Sequence, residues 1–361
     1  MIENPKEKNN KPMACIITGG LLDDIHAKTA HGLIRRSERY TICGIIDEKN
    51  AGQEAGEILD GRNRGIQVYE SIKSLINEQG ESPEFAIIGM ATHGGVIHEE
   101  LYPTIREVLE NKISIVNGLH HSLSDIDEFA SLAKQSSAQI IDIRKPKPFK
   151  ELHFWTGKIK EVESLKLAVL GTDCAVGKRT TARFLESGLN DHNIKTQMIY
   201  TGQTGWLQGG KHGLIFDAIP NDFVSGEIEH AMYNCWQEDK PEVMILEGQS
   251  SLRNPSGPCG TEFLLSGNLD GIILQHHPGR SHFEGLEDYP ATMITPESEI
   301  ELIKLFGVET LAVTLNTADM NIDEVRTYQK GLQEKLAIPV ICPLEDGILS
   351  LIEVVKQQLV K

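Results

Sequence analysis

The sequence predicts an α/β protein built of two doubly wound, mostly parallel-sheet domains. Three observations carry that expectation. Short apolar strands alternate with helical segments through both halves of the chain, which implies right-handed crossovers and parallel sheets. The alternation lapses between Lys145 and Lys160, where Lys-Pro-Lys-Pro-Phe-Lys and an aromatic stretch suit a linker. Beyond it a glycine-rich turn, Gly171-Thr172-Asp173-Cys174-Ala175-Val176-Gly177-Lys178, joins an apolar strand to a helix start. We place a loose tail at 1–12, a first domain at 13–150 and a second at 151–361.

The first domain reads as Rossmann-like. Its strands are expected at 14–18, 40–47, 85–89, 114–117 and 139–142. The turn after the first strand, Gly19-Gly20, lacks the full G-x-G-x-x-G, so dinucleotide binding is not supported there. Asp47 closes the second strand, where a ribose-binding acid would stand. His120-His121 reads as structural or as part of a domain interface.

The second domain reads as P-loop NTPase-like. Leu165–Leu170 is the strand before the glycine-rich turn, and Arg179–Glu186 continues as helix. Backbone N–H groups of such a turn and the positive helix end cradle an anion, and Lys178 adds a mobile charge. The glycine spacing is five residues rather than the usual four, and Arg179 stands where Ser or Thr normally reaches Mg²⁺. Lys178 and Arg179 together suit direct cationic contact with phosphate. Thr180 takes the metal role only if the helix start shifts by one residue. The alternative is that Arg179 points into solvent or pairs with a neighbouring acid while Thr180 binds the metal. Cys174 is either a small space-filling residue or a reactive thiol.

Further strands are expected at 197–200, 243–246, 271–274, 310–315 and 338–341. Ligands bind at the carboxyl ends of such strands, which makes the loops there the candidate site. They carry Gln203 and Thr204 in a second Gly-rich loop, Glu247, His276 and His277, and Asn316 with Asp319. Glu247 has the Walker-B position and, with Asp222, is the candidate Mg²⁺ ligand; the alternative for Asp222 is a helix cap. Asn316-Thr317-Ala318-Asp319 matches N-x-x-D, able to read a nucleobase edge. The His276-His277 pair, near Arg280 and His282, suits a general base or a phosphate contact better than a zinc site.

Composition narrows the partners. A net charge of −17 opposes nucleic acid or an anionic membrane as the main partner. No apolar run reaches membrane-span length and the N-terminus lacks a signal-peptide core. Six cysteines without a C-x-x-C pair indicate a reduced, cytoplasmic setting. A homo-oligomer is expected.

Two resemblances sharpen the reading. The loop Gly171–Lys178 resembles the phosphate loop of dethiobiotin synthetase, with the same spacing and Thr-Asp pair. That resemblance places Asp222 and Glu247 at Mg²⁺-binding positions and Asn316 near the adenine site; Arg179 departs from it. Over nearly its full length the chain resembles a bacterial and archaeal family assigned as D-glutamate N-acetyltransferases. The carriers are Gly-Thr-Asp-Cys-Ala-Val-Gly-Lys-Arg-Thr-Thr, Thr-Gly-Gln-Thr-Gly-Trp and Leu-Glu-Gly-Gln-Ser-Ser, with the Rossmann-like first domain. It implies acetyl transfer from acetyl-CoA to an amino-acid amine, with Gly171, Thr172, Asp173, Cys174, Gly177, Lys178, Arg179 and Thr180 around the donor phosphates. Asp222, Glu247, His276 and His277 are the base candidates, and Thr204, Gly205 and loop N–H groups the oxyanion candidates. The alternatives are an ATP-dependent ligase or kinase-like enzyme, with ATP and Mg²⁺, and a non-enzymatic nucleotide sensor.

Overall fold

Strands form at every apolar run that predicts one, in a computed structural model that describes residues 11–91, 93–289, 292–318 and 320–360. The chain divides into two compact units. One runs up to Pro146 and also takes Gln203–Gly210; the other comprises Lys147–Gly202 and the chain from Lys211.

In the first unit β1 (Met13–Ile17), β2 (Thr41–Ile46), β3 (Val68–Tyr69), β4 (Phe85–Ile88), β5 (Ser114–Asn117) and β6 (Ile140–Asp142) form a parallel sheet. Its order is β3-β2-β1-β4-β5-β6. Helices cover both faces, and Ile16, Ile45, Ile87 and Val116 are buried on one side and Cys15, Ile17, Ala86 and Ile115 on the other. Only β3 escapes the sequence reading, because two residues carry no period.

Asp47 is not placed to hold a ribose. Its buried carboxylate accepts hydrogen bonds from Thr18 Oγ1 (2.6 Å), Leu22 N (3.0 Å), Asn50 N (3.0 Å) and Asn50 Nδ2 (3.1 Å). Four donors leave it a turn-holding group at the ends of β1 and β2.

The segment expected to be a second glycine-rich loop is instead a short helix, Gln203–Leu207, packed within the first unit. Arg39 donates from Nε to the Trp206 carbonyl at 2.7 Å, with its guanidinium 4.1 Å over the indole. Gln208 Nε2 donates to the Gly32 carbonyl at 2.8 Å. Leu207 is fully buried in the same core.

In the second unit the strands are β7 (Leu165–Gly171), β8 (Thr196–Tyr200), β9 (His212–Gly213), β10 (Val243–Glu247), β11 (Gly271–His276), β12 (Thr310–Leu315) and β13 (Val340–Ile341). They pair in parallel in the order β13-β12-β11-β7-β10-β8-β9. The strand that leads into the phosphate loop therefore lies inside the sheet, between β11 and β10. Such doubly covered parallel strands read as apolar runs, and Leu167, Ala168, Val169, Ile245 and Ile273 are all fully buried.

A strap over 147–161 runs along the helix Asn221–Asp239. Buried Glu227 accepts from His153 N (3.0 Å) and Lys147 Nζ (2.8 Å), and buried Glu229 from Thr156 N (2.6 Å) and Thr156 Oγ1 (2.8 Å). No helix among the described residues is long and apolar enough to cross a membrane.

Candidate functional site

The helix Lys178–Asp191 starts where β7 and its loop predict, with Gly177 as N-cap in the left-handed region at φ +107°. Gly171 has a packing reason: a Cβ there would come within 2.9 Å of Lys178 Cδ and Val176 Cγ2. The lysine stem thus lies back across the end of the strand. Ala175 and Ser250 also adopt positive φ, +52° and +41°, the kind of backbone strain that gathers at functional loops.

Lys178 is buried, and its ammonium donates to the carbonyls of Asp173 (2.6 Å) and Ser250 (2.8 Å). Burial pulls its pKa below the ordinary lysine value, opposed by the nearby Cys174, Asp173 and Glu247. Cys174 donates weakly from Sγ to Ser250 Oγ at 3.4 Å.

Asp173 is fully buried and is the loop's anchor rather than a ligand group. Its Oδ1 accepts from Asn254 Nδ2 (2.8 Å), and its Oδ2 accepts from Arg280 Nη1 (2.8 Å) and Glu284 N (2.7 Å). Arg280 Nη1 also donates to the Cys174 carbonyl at 2.8 Å. One carboxylate therefore ties the phosphate loop to the loops after β10 and β11.

Arg179 pairs with Glu247: Nη2 lies 2.7 Å from Oε1, with side-chain exposures of 20% and 6%. The other carboxylate oxygen accepts from Thr201 N at 3.3 Å. Burial lowers the Arg179 pKa, opposed by Glu247. Thr180 is exposed in the first helical turn. Thr181 is buried and donates to Gln275 Oε1 at 2.6 Å, which also accepts from Thr314 Oγ1 at 2.6 Å.

Thr172 Oγ1 stands 2.9 Å from His276 Nδ1, and both side chains are buried. Burial, with a smaller contribution from His277, pulls the His276 pKa down to about 4. That makes it a weak base near neutrality. His277 is buried beside it.

The remaining candidates divide. Asn316 follows β12; its N donates to the His276 carbonyl at 2.7 Å and its Oδ1 accepts from Ala318 N at 3.1 Å. A Cβ on Gly177 would lie 4.0 Å from Asn316 Nδ2, so this amide borders the phosphate loop. Asp319 lies outside the described residues. Asp222 is exposed in the first turn of Asn221–Asp239, whose N-cap residue is Pro220. Gln203 and Thr204 belong to the first unit: Gln203 packs at Gly118, and Thr204 Cγ2 lies 3.1 Å from a Cβ built on Gly32.

The sequence reading missed Ser250, Asn254 and Gln275. Ser250 acts through its backbone carbonyl, which no residue type announces. Gln275 left one signal, a polar residue closing the apolar run Ile272-Ile273-Leu274.

Comparison with known proteins agrees with this architecture. Residues 153–352 match the DUF1611 P-loop domain and residues 48–146 the DUF1611 Rossmann-like domain, both described as domains of unknown function. A protein of Pseudoalteromonas sp. named D-glutamate N-acetyltransferase is 32% identical over 271 residues, covering 74% of this chain and 79% of that protein. One of the same name from Tritonibacter scottomollicae is 30% identical over 277 residues, with the same coverages of 74% and 79%. The crystal structure of a DUF1611 family protein from Anabaena variabilis superposes with a TM-score of 0.86 at 25% identity, over 96% of this chain and 100% of that one.

Proposed function

This chain belongs to the DUF1611 family, and on that premise we propose that it is an amino-acid N-acetyltransferase that holds acetyl-CoA by its phosphates. The observation that carries the reading is the loop Gly171–Lys178, whose N–H groups open a helix beside two cations, buried Lys178 and half-buried Arg179. Coenzyme A presents a pyrophosphate and a 3′-phosphate, groups that a helix N-terminus and charged donors recognise. D-Glutamate is the proposed acceptor, on the strength of the name its relatives carry.

In the reaction the acceptor nitrogen attacks the thioester carbonyl. The C–N bond forms, the tetrahedral oxyanion collapses, and the C–S bond breaks to release the coenzyme thiol. A base takes the proton that the amine loses, and N–H donors stabilise the oxyanion. Two of the four base candidates have other tasks: Glu247 holds Arg179, and His276 is a weak base set against Thr172.

The experiment supplies acetyl-CoA with D- or L-glutamate, and ATP in a parallel reaction. Free thiol released with D-glutamate supports the reading. Release of ADP without thiol replaces it with the ligase reading, and no turnover with either donor leaves the sensor.

A further inference from the structure

A phosphate loop that serves phosphoryl transfer holds Mg²⁺ between the hydroxyl after its lysine and the acid ending a nearby strand. In this chain those two positions are Arg179 and Glu247, and they are bonded to each other at 2.7 Å. The second oxygen of Glu247 is engaged as well, by Thr201 N. An entering dication would face a fixed guanidinium at short range and a carboxylate already neutralised.

The neighbouring groups do not restore the site. Thr180 is exposed, Thr181 gives its hydroxyl hydrogen to Gln275, and Thr172 sits against His276. Asp222 is exposed on another helix. Among the described residues, the cluster with metal-ligand spacing is His212, Cys235 and Asp239, which shares no residue with the loop. There Asp239 is held by Lys211 Nζ at 2.7 Å. The residues around the phosphate loop therefore do not fit Mg²⁺.

From that misfit we infer that the loop binds its phosphates without a divalent metal, with the Arg179 guanidinium, positioned by Glu247, supplying the charge a metal would bring. The inference rests on the donor-binding reading above and deepens it. Arg179 belongs to the first turn of the helix whose N–H groups face the anion, so its charge adds to that of Lys178 on the same ligand. A guanidinium can fork two phosphate oxygens but offers no open coordination position to a transferring phosphoryl group. Such a loop grips a pyrophosphate and leaves it intact. It suits a pyrophosphate diester, as in coenzyme A, better than a triphosphate, which carries more charge for the same two cations to balance.

The test is calorimetric binding of coenzyme A and of ADP to the full chain, in EDTA and in excess Mg²⁺. Wild-type affinity for coenzyme A should agree within about threefold between the two conditions. Arg179→Thr should lose about tenfold or more in EDTA, the scale of a charged hydrogen bond, while Arg179→Lys should retain most of the affinity. Thermal melts establish that each variant is folded; if Arg179→Thr is not, Arg179→Gln, which removes the same charge with a longer side chain, takes its place beside Arg179→Lys and should likewise lose about tenfold or more in EDTA. Tenfold tighter wild-type binding in Mg²⁺, or folded charge-removing variants that bind like wild type in EDTA, overturns the inference and leaves the donor reading standing. Failure to bind either ligand in both conditions overturns the donor reading, and this inference with it.

Discussion

The Lys178 ammonium donates to the Ser250 carbonyl at 2.8 Å, and Ser250 holds that carbonyl in place with a left-handed backbone at φ +41°. The lysine is thus positioned over its own loop by the segment that follows β10. An arriving phosphate competes for the same hydrogens. Lys178→Ala should weaken coenzyme A binding by about 2 kcal/mol or more, close to 30-fold in Kd, with little change in melting temperature. Calorimetry of the two proteins checks this, and equal affinities would contradict it.

Asp173 should matter more for folding than for ligand contact. It is fully buried and takes three donors, among them Arg280 and Glu284 N. Asp173→Ala leaves a guanidinium without its buried partner and should cost about 3 kcal/mol in urea denaturation, with Asp173→Asn costing less. A loss below about 1 kcal/mol, the scale of one ordinary neutral hydrogen bond, would show that the anchor is not holding the loop.

His276 gives the fold a pH dependence of definite sign. Its folded pKa is depressed to about 4 from 6.5, so the unfolded chain binds the extra proton between those values. The contribution is complete above pH 6.5 and is lost as pH falls through 4, about 3 kcal/mol in all. Wild type should therefore lose more stability than His276→Gln between pH 7 and pH 4.5. Parallel denaturation curves for the two proteins would contradict the assignment.

Much of this was legible in the sequence. Long apolar runs such as Leu165–Leu170 and Thr310–Leu315 announce buried strands, and the Gly-rich turn with its lysine announces the phosphate cradle. The two-residue strands Val68–Tyr69 and His212–Gly213 are too short to show a period. Gln203–Leu207 reads as loop because Gly205 and Thr204 disfavour helix, yet Trp206 and Leu207 pack against the first unit's core and override that preference. Arg179 was legible as a departure; its bond to Glu247, far away in the chain, is a product of the sheet order that sets β10 beside β7.

Gly226 tests the strap over 147–161. A Cβ there would come within 2.0 Å of the His153 carbonyl oxygen, so Gly226→Ala must push the strap from the helix and disturb the bonds of Glu227. A loss of about 2 kcal/mol is expected, the cost of an overpacked site, and a melt like that of wild type would show that the strap yields freely.

We propose that the phosphate loop serves an acetyl transfer by holding the nucleotide end of the donor. Acetyl-CoA and acetyl-pantetheine, the same thioester without the nucleotide, should be compared in wild type and in Lys178→Ala. Removing the nucleotide should lower wild-type kcat/KM for D-glutamate acetylation by about 100-fold or more, the loss of at least two charged contacts. Lys178→Ala should slow the reaction with acetyl-CoA but not with acetyl-pantetheine. Equal use of the two thioesters by wild type, or an equal loss with both in the variant, would contradict it.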